Sequence, residues 1–125
     1  MCIRDRPAQL LWPGSLGDYL NSLRATLVLG AEHLLRSHGL VVEAPETCIH
    51  ELLQHHARRL QSCLEVLEST TMTAYKISRQ VFDSALDAFG RWRALGETLL
   101  HLEHLVHQGL LSKADEGDGV RYSRI

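Results

Sequence analysis

No apolar run in these 125 residues approaches the roughly 18 that a membrane-spanning helix needs. No N-terminal stretch joins an apolar core to a small-residue cleavage site, so no secretory signal is read. Cysteine is scarce, and Cys2, Cys48 and Cys63 form no Cys-x-x-Cys pair. Cys48 and Cys63 fall within one expected helix, about 22 Å apart along its axis, too far for a bridge between them. That usage suits a reducing, cytoplasmic setting. Neither sign of charge dominates, with 13 Lys and Arg against 15 Asp and Glu and a net charge of −2. A mildly acidic chain lacks the basic surface on which non-specific nucleic-acid binding rests. Internal repeats and low-complexity tracts are also missing. What is present is 45% hydrophobic and 22% charged, an ordinary soluble globular composition. The length suits one domain or two small units.

The first six residues, Met1-Cys2-Ile3-Arg4-Asp5-Arg6, match nothing that follows. The string resembles the translation of a transposase-end sequencing adapter. Residues 1–6 are therefore expected to be a non-native tail, with residue 7 an internal position of a longer protein. Setting aside Arg4, Asp5 and Arg6 moves the net charge from −2 to −3.

Pro13-Gly14 marks a loop, and Ser15-Leu16-Gly17-Asp18 has the Ser-x-x-Asp form of a helix start with Ser15 as cap. Leu16, Tyr19, Leu20, Leu23 and Leu27 then recur at helical spacing, and Gly30 should end the helix. His33-Leu34-Leu35 reads as a short buried strand, and Ser37-His38-Gly39 as the turn after it. Ala44-Pro45-Glu46 opens a second helix, with proline suited to its first turn. Ile49, Leu52, Leu53, His56, Leu60, Cys63, Leu64 and Leu67 line one face of it, and polar residues line the other. After the polar link Ser69-Thr70-Thr71, Thr73 is a good cap for a short helix. Met72 and Ile77 would staple its start, and Ile77, Val81 and Phe82 would face inward. Phe89-Gly90 reads as loop. Trp92, Leu95, Leu99, Leu102, Leu105 and Val106 make a further amphipathic helix closed by Gly109, with Trp92, Phe82 and Phe89 as expected core anchors. Two strands then flank Asp115-Glu116-Gly117-Asp118-Gly119 as a hairpin. Helix, helix and hairpin over about 50 residues is the order of a winged helix. The fold class expected is mainly α with a small β-hairpin.

Taken in order, these pieces resemble metallo-β-lactamase-fold hydrolases that carry a C-terminal winged helix. Trp12-Pro13-Gly14-Ser15-Leu16-Gly17-Asp18-Tyr19-Leu20 is similar to the late helix of the hydrolase domain. Leu35-Arg36-Ser37-His38-Gly39 resembles the family's final histidine motif, with Arg36 standing where proline is usual. His55-His56-Ala57-Arg58-Arg59 is similar to the helix leading out of that domain. Thr73-Ala74-Tyr75, through Leu95-Gly96-Glu97-Thr98-Leu99-Leu100-His101-Leu102-Glu103-His104-Leu105, resembles the winged helix. The resemblance implies a C-terminal remnant of the αββα domain at 7–44, a connecting helix at 45–69 and a winged-helix domain at 70–125. The family's His-x-His-x-Asp-His cluster, middle histidine and bridging aspartate are not in these residues.

The resemblance also implies one or two zinc ions activating water for attack on an ester, thioester, lactam or phosphodiester, with His38 as a metal ligand. Gly39 lets the backbone turn tightly beside it. A zinc site needs three or four ligands, so these residues alone are expected to be inactive. Specific DNA binding is not expected, a membrane partner is not implied, and a second copy of the chain is left open as a partner. Glu97, His101 and His104 share a helix face and form a conceivable metal site. The reading preferred from spacing is a solvated face with weak ion pairs, Glu97 to His101 and Glu103 to His107. His56 is expected at the edge of the apolar stripe. Base stacking by Trp92 is the sharper alternative to a core role. Arg91 and Arg93 open the second winged helix, but Asp115, Glu116 and Asp118 on the wing make a poor phosphate-binding surface. The alternative to a hydrolase piece is a small winged-helix regulator that binds DNA or protein.

Overall fold

The computed structural model describes residues 15–33, 44–82 and 85–125. Helix α1 spans Ser15–Leu29 and buries Leu16 and Leu20, with Tyr19, Leu23 and Leu27 partly covered on the expected stripe. Ser15, expected as the cap, is itself helical. The helix stops where Gly30 takes φ +65, the left-handed conformation that closes many helices. Helix α2 spans Pro45–Val66, with Pro45 in the first turn, where a missing N–H leaves no bond unmade. It buries Cys48, Ile49, Leu52, His56 and Cys63 along one face. Strand β1 is Met72–Thr73 and helix α3 is Ala74–Val81. Thr73 caps α3 as expected, its side-chain oxygen accepting the Lys76 N–H.

Helix α4, Ala88–His107, starts earlier than its apolar spacing suggests. Phe89-Gly90, expected as loop, is its first turn. Asp87 supplies the reason, because its carboxylate accepts the Gly90 N–H at 2.7 Å and caps the helix. The far end closes by two bonds, Gly109 N–H to the Val106 carbonyl and Leu110 N–H to the Leu105 carbonyl, both 3.0 Å. Gly109 sits at φ +79. This is the Schellman arrangement, which satisfies carbonyls left over at a helix end.

Strands β2, Leu111–Asp115, and β3, Val120–Arg124, form the expected hairpin. Strand β1 joins its open side, with Met72 opposite Tyr122 and Thr73 opposite Arg121, so the sheet order is β1-β3-β2. The third strand escaped the sequence reading because two residues carry no alternation to detect.

Two apolar clusters meet on α4. In the first, Cys63 and Leu67 meet Ala74, Ile77, Leu102, Leu105, Leu111 and Tyr122. Helix α2 thus reaches into the core beneath the hairpin. In the second, Leu16 and Leu20 of α1 close over Leu100. Trp92 and Phe89 are not core anchors. They are 58% and 64% exposed and lean on one another with ring centroids 5.9 Å apart. The buried positions of α4 begin only at Ala94, beyond both rings. Phe82 is half-buried, beneath the Arg59 guanidinium at 3.9 Å.

Candidate functional site

His38, the metal ligand expected from sequence, lies outside the described residues, as does most of the expected strand and turn around it. Of that stretch only His33 is described, and it is exposed and outside any helix or strand.

The described histidines gather elsewhere. Helix α2 brings His55 and His56, and α4 brings Glu97, His101 and His104 on one face, where α1 crosses both helices. This face was expected to be solvated; instead His101 is 0% exposed, and Glu97, His104 and His56 are buried. The correction comes from α1, because Leu16 and Leu20 reach Leu100 and cover the helix face beside it. A signal for this was present. Leu100 falls well off the stripe formed by Leu95, Leu99, Leu102 and Leu105, and a helix apolar on more than one side is covered on more than one side.

His101 Nδ1 lies 2.7 Å from the Glu97 carbonyl oxygen, which can only accept, so that nitrogen holds the hydrogen. In the neutral ring Nε2 is then an acceptor, and it takes the Nδ1–H of His56 at 3.0 Å. The two rings stack with centroids 5.1 Å apart. Tyr19 of α1 and His55 each meet the His56 ring edge to face, at 5.6 Å and 5.2 Å. The Glu97 carboxylate lies 4.0 Å from His55 Nε2. Burial pushes the His101 pKa down to about 4, assisted by Arg59 and His55 and opposed by Glu97. Burial, with His107 and Arg24 adding to it, also lowers that of His104. Both imidazoles are neutral at pH 7 in consequence.

This geometry does not suit a metal ion. Both His101 nitrogens are committed, one to the Glu97 carbonyl and one to His56, so the conceivable Glu97, His101 and His104 site does not assemble. Among the described residues no group of three His, Cys, Asp or Glu side chains could hold a metal. His56 is central to the joint rather than at the edge of a stripe.

Near the hairpin, Glu103 does not pair with His107. Its two carboxylate oxygens accept from Lys113 Nζ at 2.9 Å, and one also accepts from the Tyr122 hydroxyl at 2.8 Å. Arg121 meets Asp118 at 2.8 Å and Glu116 at 3.4 Å. Lys113 and Arg121 are thereby matched by neighbouring carboxylates. Cys63 is a buried free thiol and Cys48 is disulfide-bonded, so the two are not joined, as their spacing requires. No helix among the described residues is long and apolar enough to cross a membrane.

A family model described as the C-terminal domain of metallo-β-lactamase-like proteins matches residues 60–125. The chain belongs to that family. Its structure is similar to that of a β-lactamase domain protein from Burkholderia ambifaria, with a TM-score of 0.79 and 33% identity, covering 88% of this chain and 33% of that one. It is also similar to a metallo-β-lactamase family protein from Thermus thermophilus, with a TM-score of 0.73 and 31% identity, covering 91% of this chain and 35% of that one. The chain thus spans about a third of the length of these relatives. No curated protein matches it.

Proposed function

We propose that this chain is the C-terminal part of a metal-dependent hydrolase of the metallo-β-lactamase superfamily, whose full form cleaves an ester, thioester or phosphodiester with zinc-activated water. The observation that carries this reading is the family match over residues 60–125, together with two relatives above 30% identity that are about three times as long. In the full protein His38 would donate an imidazole nitrogen to the metal centre, on the strength of its Ser37-His38-Gly39 sequence. Residues 70–125, as the winged-helix unit, would act as a structural or substrate-gating appendage, joined through the connecting helix at 45–69. These 125 residues by themselves are expected not to hydrolyse such bonds, since one histidine cannot hold zinc.

The test is the genomic sequence upstream of the Pro7 codon. An open frame that encodes His-x-His-x-Asp-His supports the proposal, and a stop codon or native start just upstream defeats it. The second reading, a winged-helix regulator, draws on Arg91 and Arg93 beside the exposed Trp92 at the start of α4. Against it stand Lys113 and Arg121, already held by carboxylates. Tight duplex binding that falls steeply with added salt would favour that reading.

A further inference from the structure

The joint where α1 crosses α2 and α4 contains more titratable groups than its size suggests. From α1 come Tyr19 and, at longer range, Arg24; from α2 come His55, His56 and Arg59; from α4 come Glu97, His101, His104 and His107. Only Glu97 is acidic, and it stands beside His55. The His56 and His101 rings face each other through a single hydrogen at 3.0 Å. One added proton can go to the Nε2 of His56 without breaking that bond, and it leaves a positive ring buried away from water. A second would set two N–H donors nose to nose, with two positive rings stacked at 5.1 Å and Arg59 nearby. The His104 ring faces α1, where a Cβ on Gly17 would stand at ordinary contact distance, 3.5 Å, from its Cε1, and its Nδ1 is buried without a hydrogen-bond partner.

We propose that this joint is an acid-released latch: protonation of His56, His101 and His104 frees α1 from the α2–α4 pair while the core beneath the hairpin stays folded. The separation follows from the two apolar clusters. Helix α1 is held through Leu16, Leu20 and Leu100, whereas α3, the hairpin and the end of α2 share the larger cluster, with Leu60 of α2 packed against both. Leaving the joint lets water reach His56 and His101, so each proton bound there favours the open form. The latch is independent of the hydrolase reading.

Hydrogen exchange of the full 125-residue chain, followed by mass spectrometry at pH 7, 6 and 5 and corrected for intrinsic exchange rates, tests it. Peptides from 16–29 should lose protection about 20-fold between pH 7 and pH 5 if His101 alone titrates as its burial dictates. Peptides from 102–124 should keep theirs. His101→Gln, which donates and accepts without titrating, should flatten the profile of 16–29, and His104→Gln should reduce its slope. Simultaneous loss in both regions, equal protection of 16–29 at pH 7 and pH 5, or an undiminished acid response in His104→Gln would overturn the latch. Should His101→Gln not fold, the wild-type profile and His104→Gln decide.

Discussion

Tyr122 is 2% exposed and its hydroxyl donates to Glu103, tying the third strand to α4. Tyr122→Phe removes that bond but leaves the carboxylate with Lys113. It should lower stability by about 1 kcal/mol, read from the urea midpoint. Burial, with the Glu103 carboxylate adding to it, raises the phenol's pKa above its ordinary value. An alkaline absorbance titration should therefore show Tyr122 ionising above pH 10, a feature that Tyr122→Phe removes. Burial pushes the Cys63 thiol up to about 11, so it should resist a thiol reagent at pH 8 until urea unfolds the chain. His101 works in the other direction. Between its unfolded value near 6.5 and its folded value of about 4, the unfolded chain binds a proton that the folded chain refuses. Stability from this group is thus whole above pH 6.5 and falls by about 3 kcal/mol as pH drops through that window. Denaturant titrations at pH 7 and pH 4.5 should differ accordingly, and less so in His101→Gln.

At the scale of elements, α1 and α2 were legible because their apolar residues repeat at helical spacing, and α3 because Thr73 and its neighbours spell a start signal. The opening of α4 was not. Phe89-Gly90 looks like a turn until Asp87 is seen to cap it. A Cβ at Gly90 would come within 3.1 Å of the Asp87 carboxylate and 3.2 Å of Leu86. Gly90→Ala should therefore push the cap aside and cost about as much as Asp87→Ala, on the order of 1 kcal/mol, read as a fall in Tm. The clusters predict a contrast between Leu105→Ala and Leu16→Ala. Leu105 lies in the larger cluster, and its loss should cost roughly 2–5 kcal/mol of global stability. Leu16 holds α1, and its loss should act mainly on exchange within 16–29.

For the whole molecule, the exposed apolar residues carry the argument. Val28 and Leu29 at the end of α1 are 87% and 78% exposed, and Phe89 and Trp92 add a second apolar spot. Surfaces of this kind favour association. The chain should self-associate as its concentration rises, and Val28→Asp with Leu29→Lys should reduce that, as light scattering would report. The family itself was legible before any coordinates, from the order of short motifs between Pro7 and Ile125. Its C-terminal domain match begins at residue 60, inside α2. That agrees with α2 lending Cys63 and Leu67 to the core beneath the hairpin.

Sequence by itself determined the helices, the hairpin and the family, because periodicity, caps and turn residues act over a few neighbouring positions. It also set which residues are histidine and how they are spaced along α2 and α4. Tertiary structure alone decided what those histidines are. The same i, i+4 spacing on α4 serves a wet face or a dry one, and only the crossing of α1 removes the water. Once water is gone, charge on the His101 ring is disfavoured, and it sits between the Glu97 backbone carbonyl and His56 in a chain of hydrogen bonds rather than in a surface ion pair. The aromatic pair followed the opposite course. Phe89 and Trp92 have core composition, but the α4 turns that carry them lie before the first buried position, so they stay in solvent.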